Sequence, residues 1–316
     1  MSNRAQTPEF AGDEVGFTNE ITLDPRIVKL TTRTGIDIRR TLPHRHIRTI
    51  GAWCFIDHYG PTDQSDAMSV AAHPHTGLQT VSWLFSGEVE HRDSLGNIQN
   101  VIPGELNIMT SGIGIAHSEL SVNIRSHLHG IQLWTVLPDR DRNTKATFHH
   151  HGDLPAFGWE GMHVRLFVGE LLGYSSPAKI FSPLLGAEID LPAGTAATIP
   201  AQANFEYGIL VVAGSVNANG SAVQSGQLHY IPIGRNSLSL TSLEGAKIIL
   251  LGGEPFAEKI VMWWNFIARS HDEIVQMRQD WESESPRFSS FTDRIGGRIP
   301  APPIPNLKLA PRANPV

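Results

Sequence analysis

The sequence predicts an all-β protein with two β-barrels or β-sandwiches of similar design and a short helix near the C-terminus. Short runs rich in β-branched residues alternate with turns that contain glycine or proline, which is typical of β-sandwiches and β-barrels. A pattern of strands and turns from the first half of the chain returns in the second half. A clear helical period appears only late, after residue 269.

Strands in the first half are predicted from β-branched runs and from alternation. Residues 27–32, 36–40 and 53–56 form such runs, and turn residues follow at 57–61. Between His73 and Phe85 the odd positions carry the histidines and the large aromatic side chains. Because side chains two apart on a strand share a face, we expect the odd face to line the interior.

The second half of the chain repeats the first. Residues 209–216 parallel residues 81–89 as a strand that ends in a glycine turn, and residues 225–231 parallel residues 103–109. Repetition of this kind indicates duplicated structural units. We therefore expect two units with the same architecture.

A capping box predicts where the helix begins. Ser270 and Glu273 have the Ser-x-x-Glu spacing in which each side chain accepts a hydrogen bond from the other residue's backbone N–H. Ile274, Met277, Arg278 and Trp281 follow at helical spacing on one face. The proline-rich stretch after the helix favours an extended tail.

Composition and charge exclude several classes of function. The 316 residues carry a formal net charge of -6, and no run of Lys and Arg offers the phosphate contacts of a nucleic-acid-binding face. No stretch is apolar enough to span a membrane, and no secretory signal is visible. The single cysteine, Cys54, excludes an intrachain disulfide. We therefore expect a cytoplasmic protein with no direct nucleic-acid binding and no membrane contact.

Two pairs of side chains point to a metal site. His73 and His75 are two residues apart, and so are His117 and Glu119. Each pair can share one face of a strand, so four metal-capable side chains converge if the two faces meet. Imidazole binds iron, nickel, copper and zinc, and a carboxylate adds a hard donor. The absence of thiolates disfavours a structural zinc site.

The repeated half lacks these side chains. When the glycine turns are aligned, the two histidines of the first pair fall opposite Pro200 and Gln202, and the second pair falls opposite Ser239 and Thr241. A side chain that the fold itself requires would be expected in both halves. The asymmetry therefore favours a function for the first set.

Motifs along nearly the whole chain resemble those of the pirin family of the cupin superfamily. These motifs are AHPHTG at 72–77, PGEL at 103–106, MTSGIGIAHSE at 109–119, GIQLW at 130–134, LGGEP at 251–255, WNF at 264–266 and IPAPPIP at 299–305. Each motif alone is unspecific, but the set is specific. One departure is Gln79, where the family often has glutamate.

The resemblance implies a bicupin, in which two antiparallel jelly-roll barrels lie face to face and a short helix follows. It implies a metal-binding domain at 27–140 and a degenerate domain without metal ligands at 141–305, with terminal arms at 1–26 and 306–316. It also implies one Fe(II) per chain, although Ni, Cu, Mn or Zn stay open. The implied ligands are His73, His75, His117 and Glu119.

The family resembles quercetin 2,3-dioxygenases, which implies an oxidoreductase that cleaves a flavonol or a related small aromatic phenol with O2. Glu119 would then be the catalytic base as well as a ligand. Further residues are expected in the second shell or around the pocket, with ordinary barrel core as the alternative for the two aromatic ones: Gln79, Trp83, Phe85, His58 and Gln132.

A second function is left open. Some relatives act as regulators, so the alternative is a non-catalytic, iron-dependent protein that serves as a transcriptional cofactor or modulates a partner enzyme. The acidic net charge suits a protein partner no worse than a small substrate. The sequence leaves the physiological substrate, the native metal and the oligomeric state undetermined.

Overall fold

The computed structural model describes residues 19–29, 36–62, 68–122, 127–289, 291 and 293–314. Residues 1–18 and 315–316 of the predicted arms, and residues 30–32 of the first predicted strand, lie outside this described part. Within it the chain forms 25 strands and one helix.

The strands of the first half, together with one strand that follows it, are β1 Ile21–Leu23, β2 Arg26–Lys29, β3 Asp37–Leu42, β4 Trp53–Tyr59, β5 Ser69–His75, β6 Leu78–Ser86, β7 Val89–Asp93, β8 Ile98–Val101, β9 Leu106–Thr110, β10 Ile115–Ser121, β11 His129–Val136 and β12 Thr147–His151. The later elements are β13 Ala156–Trp159, β14 Met162–Val168, β15 Glu170–Leu171, β16 Tyr174–Ser175, β17 Leu184–Leu191, β18 Thr195–Pro200, β19 Glu206–Ala218, β20 Ser221–Gln224, β21 Leu228–Ile231, β22 Ser237–Ser242, β23 Ala246–Gly253, β24 Val261–Trp263, β25 Phe266–Ala268 and α1 His271–Glu282.

The first barrel consists of two antiparallel sheets. One has seven strands in the order β12-β9-β6-β11-β4-β3-β2, and the other has four in the order β5-β10-β7-β8. The chain crosses from the small sheet to the large one at Gly77, between β5 and β6. Gly77 has a φ of +69°, and a Cβ there would lie 2.3 Å from the carbonyl oxygen of Ile267. Glycine is therefore required at this corner.

The second barrel repeats this design. Its large sheet follows the order β1-β21-β19-β23-β17-β14-β13, and β18, β22 and β20 form a smaller group that joins it through β19. The strand pair β18–β22 corresponds to β5–β10, and there Thr198 lies opposite Ser239. The interior is filled by buried apolar side chains, among them Val164, Ile189, Ile209 and Ile231. The predicted duplication is confirmed.

Each barrel has an edge strand that comes from outside its own predicted range of residues. β1, from the N-terminal arm, pairs with β21 of the second barrel, and β12, at 147–151, pairs with β9 of the first barrel. The predicted boundary at residue 140 stays a prediction. The pairings add that the two barrels are joined by an exchange of edge strands.

The barrels lie face to face, as the resemblance implies. One apolar cluster contains residues of both, including the fully buried Trp53 and Trp83. The indole of Trp53 donates to the carbonyl oxygen of Leu185 at 3.1 Å, and the indole of Trp83 donates to the Glu188 carboxylate at 2.6 Å. Buried indole N–H groups need such partners, so these bonds fix how one barrel sits on the other.

The helix begins where the capping box predicts. The side chain of Ser270 accepts from Glu273 N, and the Glu273 carboxylate accepts from Ser270 N, both at 3.2 Å. Ile274, Met277 and Trp281 are buried. They pack with residues of β24 and β25 in a separate apolar cluster.

The C-terminal segment returns to the first barrel after the second barrel is complete. Ile267 N donates to Thr76 O at 3.0 Å, next to the corner at Gly77, and Ile299 N donates to Ala72 O at 2.8 Å. This segment therefore covers the edge of β5. No helix in the described part of the chain is long and apolar enough to cross a bilayer.

A buried carboxyl group links the two barrels. Glu206 of β19 accepts hydrogen bonds from Gly51 N at 2.5 Å and from the Tyr230 hydroxyl at 2.7 Å. Burial raises the pKa of Glu206 from 4.5 to about 7, against the opposing effect of these two bonds. Since the folded state binds this proton more tightly than the unfolded chain does, the contribution to stability is complete below pH 4.5 and is lost as the pH rises through about 7.

We therefore expect Glu206→Gln, which stays neutral and keeps the shape, to raise the free energy of unfolding at pH 8 by about 2 to 3 kcal/mol. At pH 5 the gain should be much smaller, because the native carboxyl is then mostly protonated. Unfolding followed by circular dichroism at both pH values tests this, with the exposed Glu244→Gln as the control. An equal gain at both pH values would contradict the account.

Candidate metal centre

Three histidines meet inside the first barrel. His73 and His75 share one face of β5, and the antiparallel pairing of β5 with β10 places His117 directly opposite His73. Their ring centroids are 4.3 to 5.1 Å apart, and one nitrogen from each ring lies within 4.8 Å of the others. All three are buried. A compact group of three imidazoles is suited to hold a metal ion.

The hydrogen bonds of these rings leave nitrogens available. His73 Nδ1 is 2.9 Å from Ala71 O, so it carries the proton and leaves Nε2 as a lone pair. Within the described residues, His75 Nδ1 and His117 Nε2 are buried and have no hydrogen-bond partner. Buried polar atoms without partners are rare and costly. A metal ion in the cluster would satisfy them, so the residues present fit such an ion.

Burial keeps the three rings neutral. It lowers the pKa of His73 to about 4, and it lowers the pKa of His75 and His117 well below 6.5, with further lowering from the neighbouring histidines. A neutral imidazole offers the lone pair that a metal ligand needs.

Glu119, the fourth predicted ligand, lies beside the cluster. A bulge between His117 and Glu119 shifts the register, so that Glu119 pairs with Val70 instead of Ala71. Its carboxylate lines the same cavity but lies outside the tight group of histidine nitrogens. Ser82 Oγ lies 3.4 Å from its Oε1, and burial raises the pKa of Glu119. The ligand role of Glu119 stays a prediction.

The cavity beside the histidines has a volume of about 600 Å³, within the usual range for small-molecule sites. Phe55 and Trp134 stack at 3.9 Å on one wall, and the Trp134 ring meets the edge of His75 at 5.1 Å. The C-terminal segment supplies another part of the wall, including Trp264 and Ile299. The arrangement gives a flat aromatic ligand space beside the three histidines.

Trp83 and Phe85 do not line this cavity, which corrects the prediction. Trp83 binds Glu188 of the second barrel, and Phe85 lies 4.8 Å from His129 on the same outer face. The reason is the crossing at Gly77: β5 and β6 belong to different sheets, so the alternation does not continue from one to the other. On β6 the even positions face the cavity, as Thr80 does.

Gln79 is also on the outer face. Its amide donates to Thr110 Oγ1 at 2.9 Å and to Lys179 O at 3.1 Å, and its oxygen accepts from Thr135 Oγ1 at 3.2 Å. These bonds hold the Gln79 amide at the boundary between the barrels. None of these three partners is a histidine of the cluster. The predicted second-shell role of Gln79 is therefore wrong, and its lack of charge has no direct bearing on the metal site.

His58 is buried away from the cavity, contrary to the prediction that it lines the pocket. Its Nε2 lies 2.8 Å from His129 Nε2, and Arg39 Nε donates to its Nδ1 at 3.4 Å. Burial, helped by the charges of Arg39 and His129, lowers the pKa of His58 to about 2. Gln132, in contrast, does line the cavity as expected.

Comparison with known proteins decides the family. A family model described as Pirin matches residues 35–135, and one described as Pirin C-terminal cupin domain matches residues 186–288. The chain belongs to the pirin family. This confirms the resemblance found in the sequence motifs.

Several relatives of this pirin are known. A Pseudomonas aeruginosa protein named "Putative quercetin 2,3-dioxygenase" is 42% identical over 86% of this chain and 87% of its own length. A pirin-like protein of Caulobacter vibrioides is 34% identical over 78% and 88%. A crystal structure titled quercetin 2,3-dioxygenase, from Acinetobacter baumannii, has a TM-score of 0.88 at 36% identity and covers 93% of this pirin and 98% of that chain.

A hydrogen-bonded pair behind His117 escaped the sequence reasoning. His91 Nδ1 lies 3.3 Å from His117 Nδ1, and His91 Nε2 lies 3.1 Å from Asp93 Oδ2. Burial would raise the pKa of Asp93, but hydrogen bonds from His91 and Asn97 outweigh it and lower that pKa. An ionised Asp93 therefore accepts a hydrogen bond from His91 Nε2–H, which leaves His91 Nδ1 free to accept one from His117 Nδ1. The His-x-Asp spacing on β7 was the available sequence clue.

This pair orients the ring of His117 in the pirin site, in the way that hydrogen-bonded partners commonly fix metal-binding histidines. We expect His91→Phe to weaken metal affinity about tenfold or more. Phenylalanine preserves the ring that stacks on Phe148 at 4.3 Å but removes both hydrogen bonds. Competition with a chromogenic chelator measures the affinity.

The exposed His149→Phe on β12 is the matched control and should keep the affinity of the unaltered protein. Thermal unfolding of both variants shows that the fold survives. Equal affinity in the His91 and His149 variants would exclude an orienting role for His91.

Proposed function

We propose that this pirin is a mononuclear iron dioxygenase of the quercetin 2,3-dioxygenase type, which cleaves a flavonol or a related phenol with O2. The observation that carries the proposal is the three-histidine cluster at the end of an aromatic cavity of about 600 Å³. The names of two relatives, from Pseudomonas aeruginosa and Acinetobacter baumannii, support the same chemistry.

His73, His75 and His117 would hold the metal through their unshared nitrogens. When bound there, an iron ion would supply a shared coordination sphere for the phenol and dioxygen, and the low number of protein ligands leaves room for both. Nickel, copper, manganese and zinc compete for similar ligand sets, so iron is the finer part of the proposal.

Glu119 has two roles in this proposal. A rotation of its side chain would bring the carboxylate to the metal as the fourth ligand. In its present position at the cavity wall, near the histidines, it can accept the proton of a flavonol 3-hydroxyl, as a general base must lie within hydrogen-bond reach of that proton. Ser82 Oγ lies 3.4 Å from Glu119 Oε1, so a polar group stands next to the carboxylate.

The aromatic walls hold and orient the substrate. Phe55 and Trp134, with Tyr59 and Trp264 nearby on the lining, exclude water and stack against flat rings. In the overall reaction both atoms of O2 enter the ester product, and one ring carbon leaves as carbon monoxide. The other partner expected is O2 itself, with no protein partner required for turnover.

Aerobic incubation of the iron-loaded protein with quercetin tests this function. We expect loss of the flavonol absorbance together with release of about one carbon monoxide per flavonol, since each turnover removes one ring carbon. His75→Ala removes a metal ligand, so its turnover should fall to that of free iron in buffer. Chelator-treated protein provides a second control with an unaltered chain.

Turnover by the unaltered protein no faster than by His75→Ala would contradict the dioxygenase. If the unaltered protein nevertheless retained its metal, the result would favour the alternative, a non-catalytic regulator that uses the metal to bind a protein partner.

A further inference from the structure

A polar row crosses the otherwise aromatic cavity. In the large sheet of the first barrel, Gln132 of β11 lies directly opposite Ser82 of β6 on one side and Asp57 of β4 on the other. Asp57 in turn lies opposite Arg40 of β3. Residues directly opposite one another on antiparallel strands share a face, so the four side chains form one row. Three of them, Gln132, Asp57 and Arg40, line the cavity.

The polar groups at both ends of the row have hydrogen-bond partners within the row. Arg40 and Asp57 form a two-point ion pair, with both N–O distances at 2.6 Å, and both are largely buried. The Arg40 guanidinium also lies over the Phe55 ring at 4.4 Å. Ser82 Oγ donates to Gln132 Oε1 at 2.9 Å, which holds the glutamine amide in one orientation.

The Gln132 amide, in the middle of the row, has a donor without a hydrogen-bond partner. With its Oε1 bound to Ser82, Gln132 presents its Nε2 as a free donor, and this atom is buried and lacks a hydrogen-bond partner within the described residues. A buried donor left unpaired destabilises a protein, and natural structures contain few of them. A glutamine that only supported the sheet would be expected to use both ends of its amide, as Gln79 does.

The position of Gln132 restricts what its donor can meet. The Ser82 hydroxyl lies 2.9 Å from Gln132 Oε1 and 3.4 Å from Glu119 Oε1. The amide is therefore one hydroxyl group away from the carboxylate that stands beside the histidines. A ligand oxygen bound by Gln132 must lie close to a ligand oxygen at the histidine end. Two oxygens on adjacent carbons meet this requirement.

We propose that Gln132 donates a hydrogen bond from Nε2 to the second of two adjacent oxygens on the substrate, and so makes the pocket selective for aromatic compounds with a hydroxyl next to a carbonyl. In a flavonol these are the 3-hydroxyl, at the histidine end, and the 4-carbonyl, at Gln132. This inference rests on the proposed function for its substrate class. It adds a specificity-determining residue and the group that the residue recognises.

The test is binding in the absence of O2. Quercetin carries the 3-hydroxyl and the 4-carbonyl, whereas catechin carries the hydroxyl and lacks the carbonyl. Gln132→Glu keeps the shape and the acceptor for Ser82 but replaces the donor by an oxygen. We expect it to weaken quercetin binding to the metal-loaded protein about tenfold or more, and catechin binding less than threefold, as is typical when one buried polar contact is lost.

Gln132→Met serves as a second variant because it is uncharged and similar in volume, and it should show the same selective loss. Thermal unfolding and metal content, compared with those of the unaltered protein, verify that each variant is folded and loaded. Equal weakening for both ligands, or unchanged quercetin affinity in both variants, would overturn the inference.

Failure of the inference can be told apart from failure of the proposed function. If the selective loss is observed but quercetin is not cleaved in air, Gln132 recognises the ligand and the dioxygenase proposal fails. If quercetin is cleaved and both variants bind it as the unaltered protein does, the dioxygenase proposal stands and the inference about Gln132 fails.

Discussion

The corner at Gly77 is the constraint on which the candidate site depends. There the chain leaves the small sheet of the first barrel, which carries His73 and His75, and enters the large sheet, which forms the opposite wall. Its φ of +69° and the nearby carbonyl of Ile267 require glycine. Because this crossing reverses which positions face inward, it places the histidines at one end of the cavity and turns Trp83 towards the second barrel.

The second barrel contributes to the site without forming part of its chemistry. Its apolar interior is filled, and it buries the outer face of the large sheet through the bonds of Trp53 and Trp83. The last part of the chain then returns to the first barrel and closes the cavity with Trp264 and Ile299. One duplicated design thus gives a half that carries the candidate metal site and a half that supports it, and within the described residues the histidine cluster lies in the first half.

The sequence was sufficient for features that depend on local spacing. Pairs two residues apart predicted that His73 and His75 share a face, and the capping box located the helix. Features that depend on distant contacts were missed or misjudged. The bulge between His117 and Glu119 shifts the register of β10 against β5, which the spacing of the two residues did not predict. The link from His117 through His91 to Asp93 needs the pairing of β10 with β7, which no local pattern reveals.

Anomalous diffraction from metal-loaded crystals tests most directly whether the three histidines form the single metal centre of the molecule. The account predicts one strong peak per chain, within about 2.0 to 2.2 Å of one nitrogen from each of His73, His75 and His117, and no peak in the second barrel. A main peak elsewhere, for example at the exposed His149, or no peak at the cluster under saturating metal, would contradict it.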